Sequence, residues 1–336
     1  MKNGKKRLLA IDGGGVRGLI PLRVLAHLEQ ITQEPVHRLF DVVCGTSAGA
    51  IAACALTRPG AQLGDAVAFA EAFKTYCPTI FQKRWRDRLG AVPRWLCRLL
   101  DLPQGFDLND IWRPRYEPSG RRLALEGFLG SARLVDAMLP LYLVSYDITL
   151  RCPVIFVSRG EDELDDPYFE STTAASMVDA AMASSAAPTY FQPHVTGRAL
   201  GGSYVVIDGS VVANNPAQLG HAFFGGGNTD LVLSLGTGSL QQRYSYYEAA
   251  DWGVISWAPP LLKMMIDGQT EATHIAMRTS MPGSYLRVQV LLEDTGVSDD
   301  LDDHHPENLD AIEELAETVI ARHRSELEVF AARLLR

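Results

Sequence analysis

No two of the five cysteines form a C-x-x-C pair, and their number is odd. Cys44, Cys54, Cys77, Cys97 and Cys152 are scattered along the chain, which fits a reducing compartment and offers no zinc site. Long apolar runs are also lacking. After the basic start, Met1 to Arg7, the apolar run extends only from Leu8 to Ile11, so neither a signal peptide nor a membrane span is expected. Positive charge is in deficit: 31 Lys and Arg against 40 Asp and Glu give a net charge of −9. That balance argues against a nucleic-acid polymer as partner, because phosphates are neutralised by a basic surface. Internal repeats, low-complexity tracts and a Pro/Gly-rich linker are absent, and one domain over residues 1–336 is expected. What is present in quantity is core material. Hydrophobic residues make up 47% and charged residues 21%, enough to bury a large interior.

Arg7 to Asp12 reads as a buried strand entering Gly13-Gly14-Gly15. From Gly18 to Ile31, the apolar residues Ile20, Val24, Leu25, Leu28 and Ile31 recur at helical spacing, and Pro21 falls near the start, where its missing N–H does no harm. Leu39 to Cys44 reads as a second strand. It leads into Gly45-Thr46-Ser47-Ala48-Gly49 and an alanine-rich helix ended by Arg58-Pro59-Gly60. The order strand, helix, strand, helix predicts an α/β fold, a central mostly parallel sheet between helices. Further strands are expected at Leu141–Ile148, Val154–Ser158, Tyr204–Ile207, Leu231–Leu235 and Leu286–Leu291. Helices are expected at Ser176–Ala183 and, after an acidic loop from Ser298 to His305, at Pro306–Leu335. The last helix carries Leu309, Ile312, Leu315, Val319, Leu327, Phe330 and Leu334 on one stripe and reads as a packing helix.

Three segments carry chemistry. Gly45-x-Ser47-x-Gly49 lies between a strand and a helix, where a tight turn lifts a serine oxygen out of the sheet and flanking glycines avoid clashes. Ser47 would then sit at a helix N-terminus, which favours developing negative charge. Asp12-Gly13-Gly14-Gly15-Val16-Arg17-Gly18 exposes consecutive backbone N–H groups at a helix start, a device for holding an oxyanion. Arg17 either adds positive charge there or pairs with a carboxylate and braces the loop. The same glycines, Gly13, Gly15 and Gly18, also spell the dinucleotide fingerprint G-x-G-x-x-G, with Glu34 or Asp41 in range to bind a ribose. Asp208-Gly209-Ser210 ends a strand at a turn, where a carboxylate can take a serine proton directly; Asp-Gly is also a common turn dipeptide. The eight histidines offer no persuasive partner for a triad, and His304-His305 has no ligand-spaced neighbours, so no metal is expected.

Together these segments resemble the patatin-like phospholipase family. Ile11 to Gly18 is similar to its oxyanion loop and Phe40 to Gly49 to its nucleophile elbow. Ser145-Tyr146-Asp147-Ile148 with Pro153-Val154-Ile155-Phe156 resembles its middle strands, and Ala183 to Phe191 its alanine-rich segment. Asp208-Gly209-Ser210, Asn214-Asn215-Pro216 and Leu235-Gly236-Thr237-Gly238 complete a series spanning about Leu8 to Gly238. Ser210 departs from the Gly or Ala usual in the family. The resemblance implies a three-layer hydrolase fold with no cofactor or metal. It implies hydrolysis of acyl esters of phospholipids or other lipids, Ser47 attacking, Asp208 accepting its proton and the Gly13–Gly15 N–H groups stabilising the oxyanion. A cytoplasmic protein, peripheral at the membrane when active, follows. Some bacterial members are effectors of anti-phage defence switched on by a cyclic nucleotide. That role is compatible with this chain, although no residue pattern marks a nucleotide site, and a homo-oligomer is likewise open.

A lipid substrate implies a membrane contact, for which Ile80 to Leu102 is the candidate. Lys83, Arg84, Arg86, Arg88, Arg94 and Arg98 there alternate with Phe81, Trp85, Trp95, Leu96, Leu99 and Leu100. The plainer reading is a surface hairpin whose aromatics pack on the core. Two other functions stay open: a dinucleotide-binding oxidoreductase, and a non-catalytic storage or interaction protein on the same scaffold.

Overall fold

The computed structural model describes residues 6–83, 113–159, 175–198, 201–225, 229–239 and 244–336. β1 (Lys6–Ile11) enters the glycine run, which closes into a 3-10 turn at Gly15–Gly18 before α1 (Leu19–Thr32). A helical turn at Val36–Leu39 then precedes β2 (Val42–Thr46). The second strand therefore starts later than the sequence suggests. Glu29 accepts the Val36 N–H at 3.1 Å, which favours a turn after Pro35, and Asp41 is held by the Arg7 guanidinium and N–H.

The elements that follow are α2 (Ala48–Thr57), α3 (Asp65–Ile80), α4 (Pro118–Leu129), the pair β3 (Leu141–Asp147) and β4 (Cys152–Val157), and α5 (Met177–Ser184). Next come β5 (His194–Gly197), β6 (Ser203–Asp208), a single helical turn at Ser210–Ala213, α6 (Ala217–Gly225) and β7 (Thr229–Leu235). A turn at Tyr246–Ala249, α7 (Val254–Ser280), β8 (Tyr285–Val288) and α8 (Pro306–Leu334) end the chain.

The sheet runs β5-β6-β3-β2-β1-β7-β8, with β4 on β3 off this path. β2, β1, β7 and β8 pair in parallel with their neighbours, and β2 with β3; the β3–β4, β3–β6 and β5–β6 pairs are antiparallel. The mixed, mostly parallel α/β sheet matches the sequence expectation. Alternate residues feed two cores, as a strand's two-residue period requires. Leu9, Ile11, Val43, Leu141 and Leu143 pack under α1 to α5 and α8. Leu8, Ala10, Val42, Cys44 and Val144 face α6, the end of α7 and the Ser210–Ala213 turn. The expected stripe of α8 is buried in the first of these cores and joins α1, where Arg23 bonds Glu313 at 2.5 and 2.7 Å.

One detail of the topology positions the site. β4 pairs along Tyr142–Asp147 of β3, so β2 and β6 must share the opposite edge. β2 runs parallel to β3 and ends with Thr46 opposite Val144. β6 runs antiparallel and ends with Asp208 opposite Ser145. The two strands approach head-on along one edge, and their ends meet at adjacent residues of β3.

Candidate active site

Ser47 stands at that meeting point with φ 55° and ψ −121°, a left-handed backbone rare for serine. Such strain costs about 1–3 kcal/mol and persists where surroundings over-determine it. A Cβ on Gly49 would lie 2.2 Å from the Ile11 carbonyl oxygen, so only glycine lets α2 start this close to β1. Ser184 Oγ accepts the Ser47 N–H at 3.0 Å and donates to the Val144 carbonyl at 2.5 Å. The Ser47 hydroxyl makes no helix cap; it donates to Asp208 Oδ2 at 2.6 Å.

Asp208 is held from the other side. Its N–H donates to the Ala186 carbonyl and the next N–H, of Gly209, to the Ser184 carbonyl. Its second oxygen accepts the Ser210 N–H at 2.8 Å. Burial pushes the carboxyl pKa above its ordinary value, while the hydrogen bonds of Ser47 and Ser210 and the charge of Arg121 act against that rise.

The glycine run faces this pair. A Cβ on Gly13 would lie 3.1 Å from Ser47 Cβ. The Gly13 N–H donates to the Asn214 carbonyl and its carbonyl accepts from the Thr237 hydroxyl at 2.6 Å, so two later motifs clamp the loop. The N–H groups of Gly14 and Gly15 make no such bond among the described residues. Arg17 braces the loop: it is buried, its Nη1 lies 3.4 Å from Asp299, and the Val16 N–H donates to the Leu301 carbonyl. Gly18 packs on Ala48, and Gly45 on Gly49 and Ala50. Ser47, Asp208, Gly13, Gly14, Gly15, Arg17 and Arg121 line one cavity of about 390 Å³. Its apolar walls come from Ile51, Phe73, Ile80, Phe81, Tyr190, Phe191, Leu262, Met264 and Ile266. No histidine is among the residues lining it.

The patatin family, described as patatin-like phospholipase, matches residues 9–220. The chain belongs to the patatin-like phospholipase family. A patatin-like protein 2 of Oryza sativa subsp. indica is 28% identical, over 96% of this chain and 85% of that protein. Patatin-like protein 1 of Arabidopsis thaliana is 31% identical, over 81% and 67%. The crystal structure of VipD from Legionella pneumophila aligns over 94% of this chain and 67% of its own at 14% identity, with a TM-score of 0.38. Membership in the patatin-like phospholipases supports hydrolysis of lipid acyl esters.

The dinucleotide reading fails on geometry as well. Asp41 is paired with Arg7, at the end of β1 opposite the glycine loop, and Glu34 lies beyond the C-terminus of α1, so neither acid stands where a ribose would lie. The proposed membrane stretch Ile80 to Leu102 lies outside the described residues beyond Lys83; Ile80 and Phe81 are buried and face the cavity. Among the described residues no helix is long and apolar enough to cross a membrane. Residues not singled out from the sequence are Ser184, which bonds the Ser47 backbone, and Arg121. Ser184 stands inside the alanine-rich motif, a signal that pointed to the segment but not to the atom. Arg121-Arg122 reads as a solvated pair until burial separates them.

Proposed function

We propose that this chain is a phospholipase A-type hydrolase that cleaves acyl esters through Ser47 and Asp208, with the Gly14 and Gly15 N–H groups receiving the oxyanion. The observation that carries this reading is the 2.6 Å bond from Ser47 Oγ to Asp208 Oδ2 on the wall of an apolar cavity. Ser47 Oγ attacks the ester carbonyl carbon as its proton passes to Asp208. The oxyanion turns to the glycine loop and the N-terminus of α2, whose dipole favours negative charge. Collapse breaks the bond to the leaving alcohol, which takes the proton from Asp208, and leaves an acyl-Ser47. Water, deprotonated by Asp208, then attacks the acyl carbon. The fatty acid departs, and the proton returns to Ser47.

Phospholipid at a membrane surface is the proposed substrate form. In support, the cavity is walled largely by apolar side chains, and α7 adds apolar residues to it beside Lys263 and Asp267. Leu262 and Met264 line it, while Val254, Leu261 and Met265 beside them are exposed, as are Tyr246 and Tyr247 on the preceding turn. The test is product analysis by mass spectrometry on mixed phospholipid vesicles, with fluorophosphonate labelling alongside. Wild type releases fatty acid and lysophospholipid and labels at Ser47; Ser47→Ala does neither. Labelling at another serine, or hydrolysis by Ser47→Ala, overturns the assignment.

A further inference from the structure

Arg121 is 1% exposed and the largest side chain so buried among the described residues. Its Nη1 donates to the Ser185 carbonyl and, at 3.1 Å, to the Ser185 hydroxyl. Its Nε and Nη2 have no hydrogen-bond partner, and no carboxylate bonds it among the described residues. The guanidinium carbon sits 4.1 Å from the centre of the Phe191 ring. A buried cation without a bonded anion costs several kcal/mol, so a chain that keeps one needs a reason. The charged groups that act on it are Asp208 and Arg122. Arg122 bonds Asp179 at 3.0 Å, and Asp179 also faces His194 at 3.5 Å. On α3, Cys77 is a neutral thiol pushed up to about 12 by burial, and the Tyr76 phenol faces Gly127 in the last turn of α4. Asp208 is left as the anion that Arg121 serves.

The same side chain grips the segment that aligns the reacting pair. Ser184 Oγ holds the Ser47 N–H, the Ser184 carbonyl holds the Gly209 N–H, and the Ala186 carbonyl holds the Asp208 N–H. Arg121 takes the carbonyl between them. Residues 184–186 thus form a strut between the backbones of serine and aspartate, and Arg121 fastens its centre. We propose that Arg121 is a positioning residue for this pair: its guanidinium fixes the strut and places a positive charge on the cavity wall that it shares with Asp208. No imidazole lines the cavity to share that charge. Arg121's field opposes the desolvation that raises the Asp208 pKa. This inference rests on the proposed Ser47–Asp208 chemistry.

The test is the pH profile of kcat/KM on a soluble short-chain ester for wild type, Arg121→Lys, Arg121→Gln and Arg121→Met. The neutral variants should fold, because they remove a buried cation that no carboxylate bonds and keep much of the side-chain length. They should move the acid limb of the profile to higher pH, the direction expected on losing an opposite charge. Arg121→Lys should keep the limb near its wild-type position while lowering the plateau. A folded Arg121→Met or Arg121→Gln whose limb stays in place, with activity scaled evenly at every pH, overturns the proposal and makes Arg121 a packing residue. If both neutral variants fail to fold, a limb that moves in Arg121→Lys as well overturns it. Ser47→Ala and Asp208→Asn run beside them: if either keeps wild-type activity, the underlying chemistry is wrong, an outcome distinct from an unmoved limb.

Discussion

β2 and β6 deliver the two halves of the candidate site to one point, but they are held differently. β2 is buried over its whole length, with four residue pairs to β1 on one side and four to β3 on the other. β6 alternates between buried and half-buried residues after Ser203 and holds β3 by only three pairs, with the edge strand β5 beyond it. Ser47 is therefore fixed by the sheet itself. Asp208 depends on bonds to the carbonyls of Ser184 and Ala186, outside the sheet. Damage to the packing of β2 should cost the fold, whereas damage to the bonds that hold Asp208 should cost alignment while the fold survives.

The largest effect should come from Ser47→Ala, which removes one oxygen at a position the sheet fixes. Ester hydrolysis should fall by at least about 10³-fold with no loss of thermal stability, beyond what oxyanion binding alone retains. A melting temperature lowered by several degrees would show that the Ser47–Asp208 bond also holds the strands together.

Asp208→Asn should come next, with a loss of about 10²–10⁴-fold, the usual share of a general base. Its stability should move the other way. Burial raises the Asp208 pKa above the ordinary 3.8, so above that raised value the ionised carboxyl costs the folded state stability. At pH low enough to protonate it in both states the cost is absent. The variant should then melt higher than wild type near pH 7, and the gain should shrink as pH falls through the raised value. A gain independent of pH would mean that charge is not its origin. Wild-type kcat/KM should lose activity on the acid side at a pH above 3.8.

Ser184→Ala tests the strut. It leaves the Ser47 N–H and the Val144 carbonyl without their partner, a loss of about 1–3 kcal/mol. Activity should fall by about tenfold in a protein that still folds, since misplacement of a reacting group is itself costly. Unfolding instead would place the strut among the elements that build the sheet. Ser210→Gly should have the smallest effect, within about tenfold on rate, because the backbone N–H that bonds Asp208 is kept and only the bond from the Ser210 hydroxyl is lost.

The sequence made β1, the glycine loop, the serine turn and the Asp208 turn readable because each joins a strong period to glycines that only a tight turn explains. α8 was readable from its stripe. α7 was not: Pro259-Pro260 in its second turn reads as a stop, yet the helix runs through it from Val254 to Ser280. The antiparallel half was hidden for another reason. The hairpin between β3 and β4 turns on Asp147, whose Oδ1 takes the Thr149 and Leu150 N–H groups at 2.7 and 2.8 Å, and on Arg151 at φ 57°. Asp147 looks like any strand end in sequence. The pairing of β6 with the serine-bearing edge is a contact across 161 residues, and no local pattern encodes it.

The far wall of the cavity comes from Pro260 to Asp267 and from Asp299 and Leu301, beyond the 9–220 span that matches the family. The cavity thus combines walls from inside that span, among them Ile51, Phe73, Phe81 and Phe191, with a side from a stretch that lies beyond it. The stretches are joined at a few places, among them the Arg17–Asp299 pair and the Val16–Leu301 bond. Drift in the later stretch can redraw the shape offered to an acyl chain while proton transfer goes on unchanged. Exchanging residues 260–301 with the same stretch of a relative would reshape that one side and leave the Ser47–Asp208 bond in place.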